Sequence, residues 1–125
     1  NTRVESPAMG DWNDNEPIYL QLRSLILRQI LTGALPEGEA VPSVRQVAGD
    51  ERINPLTVSK AYQLLVDEGL LEKRRGLGMF VTPGAQARAL EQERERFLNA
   101  EWPQTLERIR ALQLDPKSLL SGDES

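Results

Sequence analysis

Two helix starts stand close together in the middle of this chain, at Ser43 and at Asn54, and they constrain the fold more than any other feature. Ser43 is followed three residues later by Gln46. That S-x-x-Q spacing lets a side chain satisfy amides left open at a helix entrance. Asn54-Pro55 carries the same message: asparagine suits the cap, and proline suits a first helical position, where its missing N–H costs nothing. Val44, Val47 and Ala48 give the first helix an apolar side, with Arg45 and Gln46 turned outward. Val58, Ala61, Tyr62 and Leu65 give the second a stripe at helical spacing, and Gly69 ends it. Between them, residues 50–53 leave room only for a tight connection.

Flanking segments complete a plan. Upstream, Pro17 to about Thr32 is expected to be a helix, with Ile18, Leu22, Leu25, Ile26 and Ile30 in register and Gly33 just past its end. Leu20, Leu27 and Leu31 lie off that stripe and form a second apolar face, which needs a second burial partner. Residues 35–43, LPEGEAVPS, read as a loop. Downstream, the short extended runs LLEKR (70–74) and MFVTP (79–83) flank RGLG, the pattern of a β-hairpin. Two helices joined by a tight turn and followed by a hairpin make a winged helix-turn-helix, expected over residues 16–83.

The remainder is helical in pattern. From Gly84 onward, Leu90, Phe97 and Leu98 mark one apolar face, and Trp102-Pro103 is expected to break the run. A second helix from about Pro103 carries Leu106, Ile109, Leu112 and Leu114, with Asp115-Pro116 as its expected end. The fold class is therefore mainly α with a small β-hairpin, a winged helix-turn-helix followed by a two-helix tail over residues 84–116. Residues 1–15 lack periodicity and read as a flexible arm, and 117–125 as a disordered tail. The DWNDNE segment imitates a calcium loop but fails, because Glu16 and Leu22 stand where glycine and a bidentate glutamate are needed.

Composition narrows the chemistry. The chain has neither histidine nor cysteine. That removes imidazole bases, thiolate nucleophiles and the usual zinc ligands, so no enzyme, metal or cofactor is expected. No apolar run reaches the ~18 residues that span a bilayer, so a membrane partner is not expected and a cytoplasmic location is. The net charge of −4 hides an uneven distribution: residues 42–83 hold six basic and five acidic groups, the least acidic third of the chain. Local potential, rather than the average, decides whether phosphate is bound.

The segment RRGLGMFV (74–81) resembles a nucleotide loop only superficially, since Val81 occupies the position of the third glycine. Gly76 and Gly78 instead permit a tight turn that brings bare backbone near a partner, with Arg74 and Arg75 at its mouth. A helix such as 54–69 can enter a major groove with its first turns at the base edges. Leu56 suits a thymine methyl, Thr57 and Ser59 suit phosphate or base, and Lys60 suits phosphate or guanine. Ser43 and Arg45 stand at a helix start whose free amides already favour a phosphate.

The chain from Pro17 to Val81 resembles the GntR family of bacterial transcription regulators. The resemblance rests on PIYLQLRSLILRQILTGALPEGEAVPSVRQVA, on INPLTVSKAYQLLVDEGLLEKRRGLGMFV, and within them on Pro42, Ser43 and Arg45. The short tail is similar to that of the YtrA-like subfamily. The resemblance implies a DNA-contacting arginine at Arg45, with further contacts at Thr57 and the wing glycine. Two positions depart from the family pattern: Arg52 stands where a glycine is usual, and Met79 where threonine is. A residue at position 52 is expected to need a left-handed conformation.

A palindromic operator on double-stranded DNA calls for a twofold protein. The tail, too short to enclose a drug-sized cavity, is expected to supply it. The expected homodimer interface comprises Leu20, Leu27, Leu31, Leu90, Phe97, Trp102, Leu106 and Ile109. The leading expectation is thus a DNA-binding regulator, a repressor. The alternative is a winged helix used for protein–protein contact, which the acidic pI near 4.9 favours. No effector can be named from these residues.

Overall fold

Helix α1 (Ile18–Thr32) forms on the stripe that the spacing defines, with Pro17 in the capping position just before it. It closes at Gly33, whose φ of +88° places it in the left-handed region that glycine enters freely. The computed structural model describes residues 12–121 and resolves two compact units, one ending at Leu90 and one beginning at Glu91. Each unit is considered separately.

In the first unit, α1 packs on α3 (Pro55–Asp67), and α3 also packs on α2 (Val44–Glu51). The core they enclose contains Leu22, Ile26, Leu27 and Ile30 from α1, Val47 from α2, and Val58, Ala61, Tyr62 and Leu65 from α3. Burying one such aliphatic side chain contributes about 1.5–3 kcal/mol. Leu27 is thereby removed from the expected dimer face: at 1% exposure it belongs to the chain's own core. Leu25, placed on the main stripe by spacing, is only half-buried.

The hairpin pairs β1 (Leu71–Arg74) with β2 (Gly78–Val81) antiparallel, with Leu71 opposite Val81 and Arg74 opposite Gly78. The segment expected to be only a loop contributes more. Ala40 bridges Phe80, the Val41 amide donates to the Met79 carbonyl at 2.9 Å, and the Val81 amide donates to the Glu39 carbonyl at 2.9 Å. Residues 38–41 therefore line the free edge of β2 and satisfy its backbone groups. Before α1, the buried Gln21 side chain accepts from the Asn13 amide and donates to the Asn13 and Glu16 carbonyls. Part of the expected arm is thus pinned onto the helix, with Trp12 packed against the core. The arm as far as residue 11 lies outside the described residues.

Helix α4 (Ala85–Arg96) begins in this unit, where Ala85 and Ala89 are fully buried. The division between units therefore falls inside α4 instead of at the expected 83/84 boundary.

The second unit differs from expectation at two points. Trp102-Pro103 does not break the helix. A π-helical turn, Phe97–Glu101, absorbs the proline, with the Trp102 amide donating to the Phe97 carbonyl, and α5 (Trp102–Ala111) continues from it. Residues 117–121, expected to be disordered, belong to a further helix, α6 (Pro116–Ser121). Asp115 starts it, its carboxylate accepting from the Lys117 amide at 3.1 Å. Residues 122–125 of the expected disordered tail lie outside the described residues.

Candidate nucleic-acid interface

Both caps form. The Ser43 hydroxyl oxygen accepts from the Gln46 amide at 3.0 Å, and Asn54 Oδ1 accepts from the Leu56 amide at 2.8 Å. These bonds fix where α2 and α3 begin, and so which side chains occupy their first turns. Arg45 lies in the first turn of α2 and is exposed. Between the helices, Arg52 adopts φ +56°, the left-handed geometry expected for that position. Its amide donates to the Ala48 carbonyl, which closes α2. A non-glycine residue held there stores strain of about 1–2 kcal/mol.

Helix α3 turns Val58, Ala61, Tyr62 and Leu65 inward. Tyr62 is core, as its place on the stripe implies; its hydroxyl donates to the Pro42 carbonyl. Burial pushes the pKa of that phenol up, so it remains a neutral donor. This bond ties α3 to the residue just before the Ser43 cap. The opposite side of α3 carries Leu56, Ser59 and Lys60, all exposed, with Thr57 half-buried at its edge. Leu56 is 77% exposed.

Lys60 is not a free surface lysine. Its ammonium lies 4.2 Å from the centre of the Tyr19 ring, on the first turn of α1. This cation–π contact steadies the charge while leaving it exposed. Sequence reasoning missed Tyr19, since only the packing of α1 on α3 makes the two residues neighbours.

At the wing, the Leu77 amide donates to the Arg74 carbonyl at 2.8 Å, which closes the turn. Gly76 (φ +76°) and Gly78 (φ +114°) supply the backbone freedom it needs. The two arginines there differ. Arg74 pairs with Glu72 at 2.9 Å and stacks on the Phe80 ring at 4.1 Å. Arg75, at the tip, is exposed, and Leu77 beside it is 71% exposed. A phosphate at the tip would meet Arg75 with its full charge, and Arg74 only in competition with Glu72.

The described residues contain no cluster of acidic, histidine or cysteine side chains able to hold a metal ion. No helix among them is long and apolar enough to cross a membrane.

Comparison with known proteins agrees with this geometry. Residues 18–81 match the model of the family described as bacterial regulatory proteins, gntR family. The transcriptional repressor YtrA of Bacillus subtilis is 37% identical over 81 residues, which are 65% of this chain and 62% of that protein. The chain spans less than two thirds of the length of the first curated relatives it matches. A transcriptional regulator from Oenococcus oeni superposes with a TM-score of 0.72 at 30% identity, covering 86% of this chain and 88% of that one. AraR(DBD) in complex with operator ORE1 superposes with a TM-score of 0.53 at 26% identity, covering 64% of this chain and 100% of that one. The match takes in α1, the capped pair α2 and α3, and the wing; on these grounds the chain belongs to the GntR family of bacterial regulatory proteins.

Proposed function

We propose that the protein is a sequence-specific DNA-binding repressor that binds a palindromic operator as a homodimer in the cytoplasm. The observation that carries the DNA-binding reading is the outer side of α3, where Leu56, Ser59 and Lys60 are exposed opposite a fully buried stripe. Base edges would be read from there. Ser43 and Arg45 at the start of α2, and Arg75 with Gly76 and Gly78 at the wing tip, would hold the phosphates. Arg74 contributes less, being paired with Glu72. Thr57 lies at the border between the two sets of contacts.

The dimer reading rests on the second unit, none of whose described residues is buried. Phe97 and Trp102 stack with centroids 6.2 Å apart, and Phe97 is 46% exposed. Leu106 and Ile109 lie on α5 at helical spacing from Trp102. With Leu90 they form the proposed contact between two copies, joined by Leu20 and Leu31 on the less buried side of α1 and without Leu27.

Selection of bound duplexes from a random pool tests the whole reading: a palindromic motif is expected. Arg45→Ala and Lys60→Ala should each weaken binding to that motif and lower the salt slope by about one, with helical content unchanged. Parent-like binding by both variants would show that the wrong face has been chosen. Binding indifferent to salt would favour a protein partner instead.

A further inference from the structure

Lys60 is the only cationic side chain of α3, and its partner is an aromatic ring. Among the described residues no carboxylate pairs with it. The difference matters for binding an anion. Arg74 at the wing shares its charge with Glu72. The face of a tyrosine ring attracts a cation through its quadrupole but carries no net charge, so the Lys60 ammonium keeps its full charge for a further partner. Tyr19 is half-buried and packed against the core, which leaves its ring little freedom to follow the lysine.

The contact also gives the ammonium a direction. At 3.6 residues per turn, Thr57, Leu64 and Glu68 fall on one flank of α3. Glu68, the residue just past the end of α3, accepts from Arg23 Nε at 2.8 Å. Arg23 follows Tyr19 by four residues, so the two share a face of α1. That flank of α3 is therefore the one beside α1. Lys60 leaves the backbone on the outward face, one turn after Leu56, but its ammonium is drawn round to this flank by the ring 4.2 Å away. A helix about 10–12 Å across fills a major groove about 12 Å wide. Its outward face then meets base edges, and its flanks meet the phosphates of the groove walls.

We propose that Tyr19 is a positioning residue that holds Lys60 toward a phosphate on the groove wall. Lys60 then joins the phosphate contacts and leaves base reading on α3 to Leu56 and Ser59. This inference rests on the DNA-binding reading above and concerns the first unit alone. Tyr19 acts through the lysine and does not itself touch DNA. A lysine held in place before the duplex arrives loses less freedom on binding, and the saving appears as affinity.

The experiment titrates the full chain into the selected duplex, and into duplexes changed at single positions, by fluorescence anisotropy over a range of salt. Lys60→Ala should lower the salt slope by about one and weaken every duplex by a similar factor, leaving the order of preference as in the parent. Tyr19→Leu, which keeps an apolar side chain without a ring, should weaken binding about two- to fivefold. Tyr19→Phe, which keeps the ring without the hydroxyl, should bind as the parent does. In the Lys60→Ala background, Tyr19→Leu should cost nothing further. A changed base preference in Lys60→Ala places the lysine at a base edge and overturns the inference alone. Equal losses from Tyr19→Phe and Tyr19→Leu put the hydroxyl on DNA in the ring's place and overturn it too. A Tyr19→Leu loss that persists without Lys60 marks a role in folding, with the same consequence. A parent whose binding is indifferent to salt overturns the DNA-binding reading and this inference with it. The Lys60→Ala and Tyr19→Phe arms keep the packing of α1 on α3, so they decide the question even if Tyr19→Leu unfolds.

Discussion

The two units of this molecule satisfy their apolar side chains in different ways. The first holds seventeen buried hydrophobic residues drawn from three helices, both strands, the connecting loops and the start of α4. The second holds none among its described residues, although it carries Phe97, Leu98, Trp102, Leu106, Ile109, Leu112, Leu114, Leu119 and Leu120. Both are regular in secondary structure. Regularity alone is therefore no sign of self-sufficiency: isolated helices of this length are marginal in water and depend on packing of an apolar face. The first unit finds that packing within itself, and the second implies another surface.

The strongest way to break this contrast is to truncate a leucine in each unit in turn. Leu65→Ala, at a fully buried position, should cost about 2–5 kcal/mol in urea denaturation, while Leu120→Ala should stay within about 0.5 kcal/mol. Equal losses from the two would show that the second unit has a core of its own. Next in size, Trp102→Ala should weaken self-association about ten- to a hundredfold in sedimentation experiments, with the urea midpoint of the first unit unmoved. If self-association keeps its strength, the stacked pair is not at the interface.

Smaller effects sharpen the picture of the first unit. Arg52→Gly removes the left-handed strain between α2 and α3 and should stabilise the unit by about 0.5–1 kcal/mol, part of the gain being offset by the freer unfolded chain. A loss of stability would mean that the Arg52 side chain contributes more than its backbone costs. The smallest effect concerns Glu37, whose carboxyl pKa is lowered by its bonds to the Gly84 and Gln86 amides, with Arg88 adding to the shift. A depressed folded-state pKa means that the contribution is complete above the ordinary carboxylate range and is lost as pH falls through the folded value. Protection of the Gly84 and Gln86 amides should therefore fall on acidification, their exchange slowing less than the drop in hydroxide catalysis dictates, and Glu37→Gln should abolish that excess.

Much of the first unit was legible because its signals are local. Ser43 with Gln46, and Asn54 with Pro55, each place a helix start within a few residues, and the buried stripe of α3 follows from its spacing. What escaped notice depends on contacts distant in sequence: the edge formed by residues 38–41, the meeting of Tyr19 with Lys60, and the burial of Leu27. The tail teaches something different. Asp115-Pro116 is chemically the same helix-starting pair as Asn54-Pro55, yet it reads as a stop because a helix precedes it. Trp102-Pro103 reads as a break because a proline lacks an amide, while the widened turn at Phe97–Glu101 accommodates that loss without ending the helix. The exposed face of α3 and the glycine turn of the wing were readable from sequence. The pairing of Arg74 with Glu72 was not anticipated, though strand residues two apart share a face and so have the spacing for it.

The chain's two tryptophans fall one to each unit, Trp12 against the core of the first and Trp102 against Phe97 in the second. The molecule thus carries two intrinsic fluorophores, each reporting a different event. Removing either leaves a tryptophan emission that follows only the other, so unfolding of the first unit and changes around the exposed aromatic pair of the second can be watched separately without a dye.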